Sequence, residues 1–186
     1  AAPLVLIAIG LSFGFRAGVW NIGAEGQYIL GAICGAAVGL AFYPTASPFI
    51  FPLMVMAGAL GGWAWAMIPG VLRVRFGTNE ILVSLMLVYV AQNLLASMAL
   101  GALRNPDASG FPGSRNLARY PSATSWINEG AGLHWGVVFA LIAVIFAYIT
   151  LSRHIFGFHV RLSGQSPRAA RFAGVNPGLL VLICMG

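Results

Sequence analysis

The side chains best placed to do chemistry in this sequence are uncharged amides and hydroxyls set inside apolar runs. Gln92 and Asn93 lie at the centre of the run from Ile81 to Leu103. Tyr89, Asn93 and Ser97 recur at i, i+4 and i+8, which on a helix makes one polar stripe. Donors and acceptors at such a depth suit a neutral polyhydroxy or heterocyclic solute. They supply hydrogen bonds without the penalty of burying a full charge. The same groups also serve as hydrogen-bonded glue between helices, and both readings stand.

A second polar cluster, Arg16-Ala-Gly-Val-Trp-Asn-Ile-Gly-Ala-Glu-Gly-Gln27, separates two apolar runs with little loop-like polarity around it. Counted from Tyr28 to Tyr43 the second run is short for a span. Extended back to Asn21, it reaches full length and carries Glu25 and Gln27 in its first turns. Asn21 is then a fitting N-cap, and Glu25 sits where the helix dipole favours an acid. Gly18, Gly23 and Gly26 permit a broken or unwound entry of the kind that lines polar sites in transporters. The alternative is a surface cap with a solvated Glu25.

Two further clusters are predicted at helix ends. In Gly77-Thr-Asn-Glu80, Thr78 or Asn79 can cap the following helix, and Glu80 can pair with Arg73 or Arg75. In the segment Gly157–Val175, Ser166 before Pro167 reads as N-cap and N1 of a short helix, Pro167–Phe172, ending near Gly174. A helix so short needs neighbours or a partner to hold it; an amphipathic interfacial helix with Arg at the headgroups is the other reading. Catalytic patterns are missing: there is no phosphate loop, no His-Glu-x-x-His and no close pair of acids. His134, His154 and His159 stand apart near the ends of apolar runs, and Cys34 and Cys184 form neither a metal-ligand spacing nor a disulfide framework.

The elements that must position these groups follow from composition. Of 186 residues 59% are hydrophobic and 8% charged, against roughly 25% charged in a soluble domain. That excludes an ordinary soluble enzyme, a disordered tail and a nucleic-acid binder, although the net charge is +6. All ten basic residues are Arg, clustered between apolar runs. The fold class predicted is an all-α, polytopic transmembrane bundle, one domain over residues 1–186, with five to six membrane segments, one of them broken or re-entrant.

The spans expected are Pro3–Phe15, Asn21 or Tyr28 to Tyr43, Phe49–Leu72, Ile81–Leu103, Leu133–Leu151 and a sixth from Gly178. Pro44, Pro48 and Pro52 punctuate the turn between the second and third. The incomplete first and last runs predict a piece of a longer chain, with no signal peptide at its start. Arg73 and Arg75 in one loop, and Arg153, Arg161, Arg168 and Arg171 without any acid in Ser152–Pro177, predict a cytoplasmic side for both. The loop Arg104–Gly132 is then outside, and Ser109 and Ser163 are expected to be reachable from opposite faces. Gly31, Gly35 and Gly39 on one run, and Gly58, Gly62, Ala66 and Gly70 on the next, predict close helix contact.

Three motifs in order carry a resemblance: Asn21-Ile-Gly-Ala-Glu-Gly-Gln27; Gly77-Thr-Asn-Glu-Ile81 with Ser84-Leu-Met-Leu87; and Gly157-Phe with Gly164-Gln-Ser-Pro-Arg-Ala-Ala-Arg-Phe-Ala-Gly174. They resemble the inner-membrane permease subunits of bacterial ABC importers, in the branch of ribose and branched-chain amino-acid permeases, and most of all the simple-sugar and nucleoside permeases. The likeness covers nearly the whole chain, which would be the N-terminal half to two-thirds of such a permease. One position departs: relatives often carry Asn just before the Tyr of the fourth span, where this chain has Val88.

The resemblance implies a transport subunit without catalytic activity or cofactor of its own, in the bacterial inner membrane. Its partners would be a cytoplasmic ATP-hydrolysing subunit, a second permease subunit and a periplasmic solute-binding protein. Asn21, Glu25, Gln27, Tyr89, Gln92, Asn93 and Ser97 are the candidate path residues. Residues 152–177 would be the coupling loop, with Pro167, Arg168, Ala169, Ala170 and Gly174 matching its docking helix. Ala169 and Ala170 are small enough for that helix to sit in a cleft on the ATPase, so bulk at Ala170 is expected to obstruct docking. A secondary transporter with Glu25 as its ion-coupled acid is the alternative.

Overall fold

The computed structural model describes residues 2–43, 47, 49–105, 114, 126–128 and 133–186. The helices are α1 (Ala2–Arg16), α2 (Ala24–Ala41), α3 (Ile50–Phe76), α4 (Glu80–Leu100), α5 (Trp135–Ser152), α6 (Ile155–Gln165), α7 (Pro167–Phe172) and α8 (Pro177–Met185). A short antiparallel ladder, β1 (Trp126–Asn128) with β2 (Leu133–His134), precedes α5. Most of the expected outer loop, Ser109 included, lies outside the described residues.

Among the described residues, α2, α3 and α4 are long and apolar enough to cross a membrane. The pair α5–α6, bent by 68°, makes a fourth span if taken together. α1, at 15 residues, and α8, at nine, are shorter. Their exteriors are apolar: α5 alone exposes Leu141, Ile142, Ile145, Phe146 and Ile149. A surface of that kind is stable against hydrocarbon and unfavourable against water. The molecule is an all-α polytopic bundle.

Ends fall where local chemistry puts them. α3 runs four residues past the expected Leu72, because Arg73 and Arg75 complement the negative end of the helix dipole. Gly77 then closes it in the left-handed conformation, φ 64°, its N–H donating to the Arg73 carbonyl at 3.0 Å. Pro52 falls in the first turn of α3, where its missing N–H leaves no bond unmade. Asn79 is the N-cap of α4, its side chain accepting from the Ile81 N–H at 3.0 Å. The turn is tied by Arg73, whose Nη1 donates to the Glu80 carboxylate and whose Nη2 reaches the Gly18 carbonyl at 3.5 Å.

With both partners partly withdrawn from solvent, that ion pair should contribute more than the ~0–1 kcal/mol of an exposed pair. We expect Glu80→Gln to cost about 1–2 kcal/mol of thermal stability in detergent, and Arg73→Met to add little to it. Strict additivity of the two in a double-mutant cycle would remove the pair from the account of this turn.

Two apolar clusters organise the bundle. Ile29, Leu30 and Ile33 of α2 pack on Ala91 of α4, with Trp65, Leu94 and Met98 around them. α2 and α3 form the most extensive helix contact, as the glycine spacing predicts. A Cβ on Gly31 would stand 2.9 Å from the Gly58 carbonyl oxygen, and one on Gly62 3.2 Å from that of Gln27. The second cluster joins distant parts of the chain: Ala17 and Val19 before α2, Val160 of α6, and Leu180, Val181, Cys184 and Met185 of α8.

α6 is the element that the sequence reading lacked. The segment 152–177 was expected to hold one short helix, yet Ile155–Gln165 forms eleven residues of helix before it. His154 caps α6, its Nδ1 accepting from the Phe156 N–H at 3.1 Å. Arg161 folds back and donates to the Leu151 carbonyl at 2.8 Å. Ser163, expected to be reachable from the cytoplasm, is buried in the seam between α6 and the rest of the molecule. The exposed Gln165 is the position that a topology label would reach.

Candidate functional site

α1 ends at Arg16, and Gly18, with φ 73°, turns the chain. The Ala17 and Val19 N–H groups both donate to the Gly14 carbonyl, at 3.0 and 2.9 Å. Residues 19–22 then run outside any helix and connect α1 to α2. Asn21 is not the N-cap expected of it. α2 starts three residues later with Gly23 at the cap, and Asn21 instead accepts the Gly23 N–H at 2.9 Å from within a buried turn. The reason is steric: a Cβ on Gly23 would lie 2.8 Å from Ser84 Cβ of α4, so the chain approaches α4 before it winds up.

This turn forms one wall of an open cavity of about 1070 Å³ between α1, the start of α2, α3, α5 and α8. Its polar lining includes Asn21, Gln27, Tyr28, Thr150 and His154. Gln27 also donates from Nε2 to the Met185 carbonyl of α8 at 3.5 Å. Amides and hydroxyls in an apolar wall can orient an uncharged solute through hydrogen bonds. Thr150 escaped the sequence reading because it is a single polar residue near the end of an apolar run, and His154 was read there only as a residue at such an end.

The other path candidates lie elsewhere. Glu25 turns away from the cavity, and its Oε1 accepts from Gln92 Nε2 of α4 at 3.0 Å. Tyr89, Asn93 and Ser97 do share one face of α4 and are exposed. That face lies opposite Ser84, Val88 and Ala91, which are buried. Asn93 Nδ2 donates to the Tyr89 carbonyl at 2.8 Å, leaving its amide oxygen outward. Val88, at the position where relatives often have Asn, packs on Gly26, whose Cβ would come 3.3 Å from Val88 Cα. A side chain at 88 therefore meets α2 and not the stripe.

The residues matched by resemblance to a docking helix form one compact unit. Ser166 Oγ accepts the Ala169 N–H at 3.3 Å and Pro167 is at N1, as expected. Gly174 takes φ 77°, and the Val175 N–H donates to the Ala170 carbonyl at 2.9 Å. Arg168 and Ala169 face outward. Ala170 does not: it is 0% exposed, packed within its own chain, so it is unavailable to a cleft on a partner. Ala170, two residues after Arg168, points to nearly the opposite side of the helix, and that side is the one packed against the rest of the chain.

Comparison with known proteins agrees with this architecture. The family of the branched-chain amino acid transport system / permease component matches residues 1–186. A glucose ABC transporter permease protein of Haloferax volcanii is 34% identical over 187 residues, covering 95% of this chain and 48% of that protein. A guanosine ABC transporter permease protein of Bacillus subtilis is 30% identical over 175 residues, 94% of this chain and 50% of its own. A nucleoside ABC transporter permease protein of Lactococcus lactis is 26% identical over 189 residues, 98% and 52% respectively. The chain thus spans about half the length of these relatives. No solved structure gives a significant match. With its apolar helices, its glycine-packed spans and a match from first residue to last, this chain is a multi-pass membrane protein and belongs to the branched-chain amino acid transport system / permease component family, a family of transport permeases and not of enzymes.

Proposed function

We propose that this chain is the permease part of an ATP-driven importer for a neutral sugar or nucleoside. It works in the bacterial plasma membrane beside a second permease subunit, and a solute-binding protein delivers the cargo. ATP is consumed by a separate cytoplasmic subunit docked on residues 152–177. The observation that carries the reading is the stripe of Tyr89, Asn93 and Ser97, with Gln92 beside it, exposed along the middle of an apolar helix. Such groups are costly against lipid, and two permease subunits that enclose a path give them a polar neighbour. Asn21 and Gln27, in the cavity wall, extend the same uncharged chemistry, and Glu25 holds Gln92 in place. The relatives, glucose and nucleoside permeases, agree in one respect: both cargos are neutral and rich in hydroxyls.

The test uses the full-length permease, its ATPase subunit and the binding protein in proteoliposomes. Asn93→Leu is expected to cut ATP-dependent uptake tenfold or more, with membrane level and ATPase binding unchanged. Loss of the variant from the membrane would assign the stripe to helix–helix bonding. Uptake that follows a proton or sodium gradient without ATP would restore Glu25 as an ion-coupled acid and sink the ATP-driven reading.

A further inference from the structure

The indole Nε1 of Trp65 is buried and has no hydrogen-bond partner among the described residues. A buried donor left unpaired is costly, and folded proteins rarely keep one. The ring is pinned in place. A Cβ on Gly26 of α2 would stand 3.2 Å from that nitrogen and 3.3 Å from Val88 Cα of α4, so the N–H end is wedged among α2, α3 and α4. Four residues on, Pro69 has no N–H to give the Trp65 carbonyl, which therefore lacks its helical donor as well.

Trp65 and Pro69 border a narrow gap whose other walls include Asn21, Gln27 and Ser84, and which has no room for a water molecule as it stands. The gap lies next to the large cavity, because Asn21 and Gln27 line both. Asn21 is 7% exposed and its Oδ1 is occupied by the Gly23 N–H, so its Nδ2 is the atom left over. Ser84, 1% exposed, donates to the Ile81 carbonyl and keeps its own lone pairs. Gln27 is held to Met185 by a bond of 3.5 Å, the long limit of such contacts. Among the described residues, no ionisable group borders the gap.

We infer that Trp65 is a specificity-determining residue: when Gln27 swings off Met185 the gap joins the cavity, and the indole N–H donates to a hydroxyl of the carried solute. The inference rests on the permease reading above and names the group of the solute that is read. A hydroxyl fits because it accepts from a donor such as Trp65 or Asn21 and can donate in turn to Ser84. It also brings no charge into an uncharged wall, where a carboxylate or an ammonium would lie without a counter-ion. Because the Trp65 donor has no resting partner to give up, pairing it favours a hydroxylated solute over one that lacks the group.

The experiment takes the full-length permease with its ATPase subunit and binding protein in proteoliposomes. It measures ATP-dependent uptake of guanosine, glucose and the monodeoxy analogues of each, with the binding protein saturated. Wild type should carry a parent compound at least tenfold faster than one of its deoxy analogues. Trp65→Phe should bring that ratio within threefold by slowing the parent and leaving the analogue alone. Benzothienylalanine at position 65, which removes the N–H and keeps the size of the ring, should do the same if the smaller phenyl disturbs folding. Its thermal midpoint should not fall, since no bond within the protein is lost. A lower midpoint would show the N–H paired inside the protein, against the inference. An unchanged ratio in the benzothienylalanine protein, or equal slowing of parent and analogue, would assign Trp65 to packing and overturn it. Wild type that carries every analogue as fast as its parent would leave Trp65 nothing to read and overturn it as well. Wild type that takes up neither parent would overturn the sugar-or-nucleoside reading itself.

Discussion

Gly164→Ala is expected to destabilise the protein, although the substitution improves the helix that contains it. Alanine in place of glycine within a helix ordinarily gains roughly 0.5–1 kcal/mol. Here the new methyl would collide with the Arg16 carbonyl oxygen and stand 3.1 Å from the Ala17 carbonyl carbon. Both are backbone atoms, so no rotamer change relieves the contact. Overpacking of this kind costs about 1–3 kcal/mol, which outweighs the propensity gain and reverses the sign. The measurement is the thermal midpoint in detergent, with Gln165→Ala, exposed on the same helix, as a control expected within ~0.5 kcal/mol. A stabilised Gly164→Ala protein would mean that α6 does not rest on the α1–α2 connection as described.

A larger loss is expected from Gly31→Leu. The Gly31 and Gly58 backbones touch across the α2–α3 seam, each lying where the other's Cβ would need space: 2.9 Å to the Gly58 oxygen in one direction and 3.1 Å to the Gly31 oxygen in the other. A leucine must push the two helices apart along a contact where lipid gives no hydrophobic driving force to compensate. We expect the fraction of monodisperse protein in fluorescence-detected gel filtration to fall at least fivefold. Gly31→Ala should fall between that and wild type, and Ala32→Leu, on the exposed side of α2, should behave as wild type. Equal behaviour of Gly31→Leu and Ala32→Leu would mean that the glycine spacing has no packing role.

What sequence could reveal depended on whether the signal was periodic or local. The spans of α2, α3 and α4, the Asn79 cap, the Ser166–Pro167 start of α7 and the α2–α3 glycine contact each rest on short-range rules, and the structure has them. α6 was missed because its residues, Ile155–Gln165, carry Gly157, Gly164 and Arg161 and follow a bend at Arg153–His154, so polarity concealed a helix held by tertiary packing. The side on which Ala170 lies was equally invisible: a six-residue helix has too few turns to declare its buried face, and only the position of α6 and α8 decides it. For the candidate site, types were legible and placement was not. Nothing local says that Gln27 turns to α8 while Glu25, two residues earlier, turns to α4.

The cluster that joins Val19 to Val160 and Cys184 also sets an order of events during synthesis. The α2–α3 and α2–α4 contacts close short stretches of chain and can form soon after those helices are made, since local contacts form fastest. The seat of α6 and α8 on the α1–α2 connection spans almost the whole described chain, so it can close only after residue 160 and then residue 184 have been made. Until then Val19, fully buried in the finished molecule, lacks the part of its cluster that Val160 and Cys184 supply. The segment that lines the cavity is therefore among the last to be fixed, and an intermediate with α2–α4 assembled and α1 unseated is the species that a membrane quality-control protease would meet.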